Sequence, residues 1–203
     1  MKIALIGATG NVGQRILAEA VSRGHAVTAI ARTVDGQAPD DGVAWRQGDL
    51  ADPKALGQLL AGHDAIIMSV RFQGLDVESM LDGVRASGVR RLIVVGGAAS
   101  LEIAPGLALL DTPDFPDFIK PEATPARAAL DRLKGIADID WTYISPSMWF
   151  EPGERTGRFR LADDSLLTAA DGRSHISYED YAVALVDELE TPAHVRRRFT
   201  VGY

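Results

Sequence analysis

MKIALIGATGNVG, residues 1–13, runs strand, glycine turn and helix together in one stretch. Ile3, Ala4, Leu5 and Ile6 form a short unbroken apolar run, as expected of a central parallel strand covered on both faces. Gly7, Gly10 and Gly13 follow at even spacing, and a helical pattern begins at once in Val12, Ile16, Leu17, Ala20 and Val21. This order predicts a helix whose first backbone N–H groups, at residues 11–13, point at the pyrophosphate of a dinucleotide. Gly7 allows the tight turn, Gly10 the approach of the phosphate, and Gly13 the close packing of helix on strand. Thr9, Asn11 and Val12 complete the expected contact set. The alternative is a tight strand–helix turn that holds no ligand. A glycine triplet alone is weak evidence; the strand before it and the helix after it give it force.

The length of 203 residues suits one sizeable α/β domain and is short for two. Residues 1–203 are therefore expected to form a single dinucleotide-binding domain, with 146–203 on its substrate side. Charged residues at 24% and hydrophobic residues at 46% are ordinary globular values, which excludes disorder as the main state. A net charge of −7 argues against nucleic acid and anionic membranes as partners, since both need a basic field. Cysteine is absent, which excludes a disulfide frame, a thiol nucleophile and a Cys-based metal site. No metal is expected. The apolar start is too short for a signal peptide, and no segment approaches the length of a membrane span. The cytoplasm is the expected location.

Further along, Gly24 caps the first helix and Ala26–Ala31 reads as a second strand. A polar loop with Pro39, Asp40, Asp41 and Gly42 leads to a third strand, Val43–Gln47. Asp52 and Pro53 open a helix as N-cap and first residue; it carries Leu56, Leu59 and Leu60 and stops at Gly62. Ala65–Met68 is the fourth strand, a helix through Val77, Met80, Leu81 and Val84 follows, and Arg91–Val95 is the fifth. Such alternation implies a right-handed, doubly wound parallel sheet. The rhythm breaks after Gly96 and Gly97, where residues 98–123 read as a long Pro- and Asp-rich loop of the kind that serves as a lid. Thr124-Pro125 opens a helix through Ala129, Leu130 and Leu133, and residues 141–145 form a sixth strand. An irregular excursion spans 146–162; Ser177 caps a last helix carrying Val183, Leu185, Val186 and Leu189, and 199–201 form a closing strand.

Dinucleotide selectivity is set just past the second strand, where a carboxylate bonds the ribose of NAD and an Arg pairs with the 2′-phosphate of NADP. Here Arg32-Thr33 follows, and the nearest acid, Asp35, comes later. NADPH is therefore the expected cofactor, with NAD as the second candidate and a solvated Arg32 as the alternative. Asp49, beside Leu50, is placed to accept from the adenine amino group or merely to close a turn. Ser69, Val70 and Arg71 after the fourth strand, and Gly96 and Gly97 after the fifth, border the nicotinamide side of the crevice. Pro146, with Ser147 and Met148, closes it from the other side.

GATGNVG followed by an Arg after the second strand resembles the atypical short-chain dehydrogenases, in their NAD(P)H-binding, NmrA-like group. The stretches from Ser145-Pro146 to Phe159 and Ile176-Ser177-Tyr178-Glu179-Asp180-Tyr181-Ala182 extend the resemblance over essentially the whole chain. Within the group the chain is similar to bacterial NADH-flavin reductases and, more distantly, to biliverdin-IXβ/flavin reductase. The resemblance implies a Rossmann fold with a small C-terminal extension, and it says little about substrate.

Short-chain dehydrogenases that reduce isolated carbonyls use a Tyr with a Lys four residues later, the Tyr protonating the developing alkoxide. Residues four beyond Tyr143, Tyr178 and Tyr181 are Ser147, Ala182 and Leu185, and Tyr203 has none, so the pair is absent. General acid catalysis contributes about 10²–10⁴ in rate, so its loss cripples ordinary ketone reduction. A flavin or quinone spreads the incoming charge over a conjugated system, and positioning then supplies most of the catalysis. Ser100 is the one candidate for a catalytic or amide-binding hydroxyl, with a plain loop serine as alternative. Lys120 and Arg127 are weighed as anion orienters, Phe115 and Phe118 as stacking groups, and Arg155, Arg158 and Arg160 as a hairpin around Gly157 touching phosphate or a neighbouring subunit. His175 and the tryptophans Trp45, Trp141 and Trp149 read as structural, and Arg196, Arg197 and Arg198 as a solvated face.

The sequence thus points to an NAD(P)H-dependent oxidoreductase passing hydride to a small conjugated acceptor, with monomer and homodimer both open. A redox-sensing, NmrA-like binding protein without turnover is the alternative. A nucleotide-sugar epimerase or dehydratase fits poorly, because the Tyr/Lys pair is missing and the part after Ser145 is too small for a sugar-binding domain.

Overall fold

The computed structural model describes residues 1–37 and 41–203; Pro39 and Asp40 of the expected polar loop lie outside the described residues. The apolar run at the start forms β1 (Lys2–Ile6), buried from Ile3 onward because strands pair on both sides of it and helices cover both faces. The chain continues through α1 (Asn11–Ser22), β2 (Ala26–Ala31), β3 (Val43–Gln47), α2 (Pro53–Leu60), β4 (Ala65–Met68), α3 (Val77–Ser87) and β5 (Arg91–Val95). Next come the short strands β6 (Glu102–Ala104) and β7 (Leu107–Ala108), then α4 (Lys120–Lys134) and β8 (Asp140–Pro146). The last part holds β9 (Trp149–Glu151), β10 (Arg160–Ala162), β11 (His175–Ser177), α5 (Tyr178–Glu190) and β12 (Arg197–Gly202).

The main sheet has eight strands in the order β10-β12-β8-β5-β4-β1-β2-β3. Its pairs are parallel except β10 with β12, which is antiparallel. This is the expected α/β fold, a doubly wound and mostly parallel sheet. Alternate residues of each strand feed two cores. Ile3, Leu5, Ile67, Ile93 and Ile144 meet α1 and α5 on one face. Ala4, Ile66, Leu92, Val94 and Tyr143 meet the other core, which α2, α3 and α4 cover. Asp52, Asp76 and Ser177 cap α2, α3 and α5 with their side chains.

The expectations for the second half need correction. The 98–123 segment is not an open loop. It carries the β6–β7 ribbon, short 3-10 turns and its own small core of Ala99, Leu110, Phe115 and Ala123. α4 starts at Lys120 rather than Thr124, and Pro125 lies inside it. The Glu122 carboxylate holds this first turn by accepting from the Phe72 and Gln73 amides at 2.7 and 3.0 Å, which offsets the bond that Pro125 cannot make. The excursion after β8 is tied down by β9 pairing with β11 and by β10 pairing with β12. No strands flank Gly157 directly, so the expected hairpin is absent. Arg155 instead grips Glu19 of α1 at 2.7 and 2.8 Å, while the Asp180 carboxylate accepts from the Gly157 amide.

At the far end of the sheet Glu188 is 4% exposed and bonds Arg91 at 2.9 Å and His194 at 2.8 Å. Burial pushes its carboxyl up, but hydrogen bonds from His194 and from the Ala193 amide, with the Arg91 charge, outweigh burial and hold it below its ordinary value of 4.5. A carboxyl depressed on folding stabilises fully above its unfolded value and loses that contribution as pH falls through the folded one. Wild-type stability is therefore expected to fall as pH drops below about 5. Glu188→Gln leaves Arg91 unpaired, costs about 3–5 kcal/mol at neutral pH, and shows a shallower acid limb in urea unfolding.

Candidate functional site

In the sheet order, β1 leads to β2 on one side while the chain crosses to β4 on the other, so the topological switch lies between β1 and β4. Crevices of open α/β sheets form at that point, outside the carboxyl ends of the strands. The glycine turn lies there. Gly7 adopts a left-handed φ of +83°, and its amide donates to the Ile30 carbonyl of β2 at 2.9 Å. A Cβ on Gly7 would stand 2.0 Å from the Ser69 carbonyl oxygen, just past β4. A Cβ on Gly13 would stand 2.1 Å from the Gly7 carbonyl oxygen, so helix and turn touch backbone to backbone. At Gly10 a Cβ would meet only the Gly7 oxygen, at 3.3 Å.

Unlike α2, α3 and α5, α1 opens on Gly10 with no side-chain cap, and its first turn carries no acid. Thr9, Gly10 and Asn11 are exposed, Gly7 and Val12 half-buried, and Gly13 buried. The first N–H groups of α1 therefore face solvent at the switch point, carrying the positive end of the helix dipole. That is a cradle for an anion such as a pyrophosphate, and the residues fit a dinucleotide.

Arg32 directly follows β2, is exposed, and its guanidinium has no partner among the described residues. Thr33 is exposed beside it. Asp49 accepts from the Ala51 amide at 3.1 Å, which is the turn role weighed for it, while Leu50 packs on the core next to α2. Ser69 and Val70 press against the glycine turn, whereas Arg71 reaches back to Glu122 at 3.4 Å. Gly96 and Gly97 cover Tyr143: a Cβ on Gly96 would stand 2.1 Å from its ring, and the Gly97 amide donates to its hydroxyl at 3.2 Å. Pro146 ends β8 and is buried.

The candidate phenols are engaged elsewhere. Tyr143 and Tyr181 are fully buried and donate to the carbonyls of Ala126 and Ile144. Burial pushes both phenols well above their ordinary value, so neither gives up a proton. Tyr203 donates toward Ser177 and Asp180, and Tyr178 packs edge-on against Phe150. The cations weighed as anion orienters are paired, Lys120 with Asp117 and Arg127 with Asp111. Phe115 anchors the 98–123 segment, while Phe118 is 84% exposed, as Trp149 is at 57%. Of the three arginines expected to form a solvated face, Arg198 is buried, bound to Asp164 and donating to Ser100 at 3.3 Å. Glu122 and Arg198 were missed because their partners are remote in sequence. A cavity of about 240 Å³ lined by Phe159, Glu188, His194 and Phe199 lies at the opposite, amino-terminal edge of the strands, away from the crevice.

A family model described as NAD(P)H-binding matches residues 7–192, and the chain belongs to that family. It is 39% identical to the uncharacterized protein YwnB of Bacillus subtilis, over 99% of this chain and 98% of that one. A solved structure of a candidate NADH-flavin reductase from Streptococcus pneumoniae is 38% identical with a TM-score of 0.88, covering 100% of this chain and 99% of its own. A candidate exported protein from Burkholderia pseudomallei is 43% identical with a TM-score of 0.91, covering 100% of both chains. Among the described residues no helix is long and apolar enough to cross a membrane.

The two backbone contacts at the turn separate folding from binding. Gly13→Ala drives a Cβ into main chain and is expected to cost about 1–3 kcal/mol. Gly10→Ala is expected to cost under about 1 kcal/mol. Thermal unfolding of the two variants checks the order.

Proposed function

We propose that the chain is an NADPH-preferring reductase that passes two electrons to a flavin-like or quinone-like acceptor. The observation that carries this reading is the uncapped start of α1, pressed onto β1 at the switch point, with Arg32 exposed just past the neighbouring β2 and its guanidinium unpartnered among the described residues. In this reading the amides at Asn11, Val12 and Gly13 hold the diphosphate, Thr9 borders it, Gly10 lets it approach, and Gly7 makes the turn. Arg32 and Thr33 take the 2′-phosphate, Asp49 and Leu50 border the adenine, and Ser69, Val70 and Arg71 lie along the ribose and nicotinamide. Gly96, Gly97 and Pro146 wall the nicotinamide end, and residues 146–203 supply the substrate side of a single domain. Bound there, the reduced nicotinamide supplies a hydride. The rest falls to the chain: exclude water, hold the acceptor flat, and stabilise the charge it gains.

A conjugated acceptor is supported by the engagement of the tyrosines. With Tyr143 and Tyr181 bonded to main-chain carbonyls inside the core, neither serves an alkoxide from an isolated ketone as a phenolic donor. The likeness to a candidate NADH-flavin reductase points the same way. A cytoplasmic setting, where reduced nicotinamide is replenished, accords with this activity.

Steady-state oxidation of NADPH by the purified protein, with FMN and menadione as acceptors, is the direct test. Turnover is expected. Tight binding of both redox forms without turnover would leave the redox-sensor alternative instead. A charge-assisted bond to the 2′-phosphate is worth about 1.5–3 kcal/mol. Arg32→Ala is accordingly expected to weaken NADPH binding roughly ten- to hundredfold while barely moving NADH. Equal losses for both would refute the phosphate role.

A further inference from the structure

Arg198 is the second residue of β12 and stands beside Tyr143 of β8 in register. Phe199 and Val201 turn toward the α1–α5 core, so Arg198 and Thr200 share the opposite face. The Arg198 side chain is only 5% exposed. Asp164 clamps it through Nε at 2.7 Å and again through one terminal nitrogen. The other terminal nitrogen is left to donate to Ser100 Oγ at 3.3 Å. Ser100 is half-buried, in the 3-10 turn that follows Gly96 and Gly97 at the end of β5.

A serine oxygen that accepts from a cation keeps its own proton free, and the cation makes that O–H a stronger donor. Two positions nearer the carboxyl edge, Ser145 and Thr200 are register partners on β8 and β12. Both are 0% exposed, and neither hydroxyl oxygen has a partner among the described residues. Buried hydroxyls without partners are costly and rare. Here they lie on the same strand face as Arg198, further toward the carboxyl ends of β8 and β12.

Resting on the reductase reading above, we propose that Ser100 is the catalytic hydrogen-bond donor of this site and Arg198 its positioning residue. The acceptor class this fits is one whose reduction places negative charge on a ring carbonyl oxygen conjugated with the reacting atom, as in flavins and quinones. The acceptor gains one hydride, hence two electrons, from the dihydronicotinamide, which becomes oxidised. The resulting anion then takes one proton from solvent. Ser100 keeps its proton throughout; its O–H dipole, backed by the guanidinium, stabilises the charge as it develops.

The test uses the full chain with NADPH and either menadione or FMN. Losing a preorganised donor of this kind lowers kcat by about 10²-fold, which is the loss expected for Ser100→Ala. Ser100→Thr keeps the hydroxyl and is expected to recover most of the rate, and Arg198→Lys is expected to lose less than Arg198→Met. Because the donor acts on charge that appears during reaction, the Ser100→Ala KM for NADPH stays at the wild-type value. Its calorimetric Kd for oxidised FMN, with NADP⁺ present, stays within about threefold. A Ser100→Ala enzyme with kcat within about threefold of an active wild type overturns the inference. A wild type that reduces neither acceptor overturns the reductase reading beneath it as well. Should the Arg198 variants fail to fold, the two Ser100 variants decide the matter alone.

Discussion

The close crossing of α1 over the end of β1 is the constraint on which the other features depend. With no side chain at Gly13, the helix lies directly on the Gly7 carbonyl, and Gly7 in turn lies on the Ser69 carbonyl past β4. Three separate segments are thus fixed against one another through main-chain atoms, which do not repack as side chains do. The crossing sets the height of α1 above the sheet, and with it the fit of α1 against α5. Glu19 of α1 then meets both Arg23 and Arg155, so the excursion after β8 is fastened to the same helix that carries the anion cradle. The glycine turn and the segment after β8 thus share one rigid support.

The first half of the fold was legible because its signals are local. Short apolar runs and the Gly and Asp-Pro signals between them give most of β1 to β5 with their helices, and β2, β3, β4 and β5 have the expected bounds. The second half obeys distant contacts. Pro125 looks like the first residue of a helix, which would be sound if α4 were isolated. The true start is fixed by Glu122 reaching the amides after β4, a contact no local pattern encodes. The β6–β7 ribbon and the small core around Leu110 were likewise hidden, because loops rich in Pro and Asp give no period to read.

The site divides in the same way. Gly7 and Gly13 were readable because their task, close approach of backbone, is one only glycine performs and acts within a few residues. Arg198 was not, because three arginines in a row resemble a solvated face. Alternation offered a usable signal: if the strand begins at Arg197 rather than Phe199, then Arg198 and Thr200 point one way and Phe199 and Val201 the other. An arginine on the buried face of a strand must have a partner, but sequence alone does not name Asp164 or Ser100. What the fold adds is the meeting of Ser100 after β5 with Arg198 of β12 and Asp164 after β10.

Charge bears on how such a site holds its cofactor. The molecule carries −7 overall, so its long-range field repels a polyanionic dinucleotide. Salt reduces that repulsion beyond a Debye length of about 8 Å at physiological ionic strength. Contacts inside that distance escape most of the screening, and those proposed for the cofactor are of the opposite sign: oriented amides at the start of α1 and the Arg32 guanidinium, which has no carboxylate partner among the described residues. Attraction is therefore short-ranged and directional, and it rewards a ligand only when phosphate groups reach both places together. In the proposed binding mode a lone phosphate or nucleotide monophosphate satisfies one and still meets the outer repulsion, whereas a dinucleotide bearing a further phosphate on its ribose satisfies both. On that reading, selectivity for a long, multiply charged cofactor comes from two small positive features within an acidic surface, and needs no basic patch.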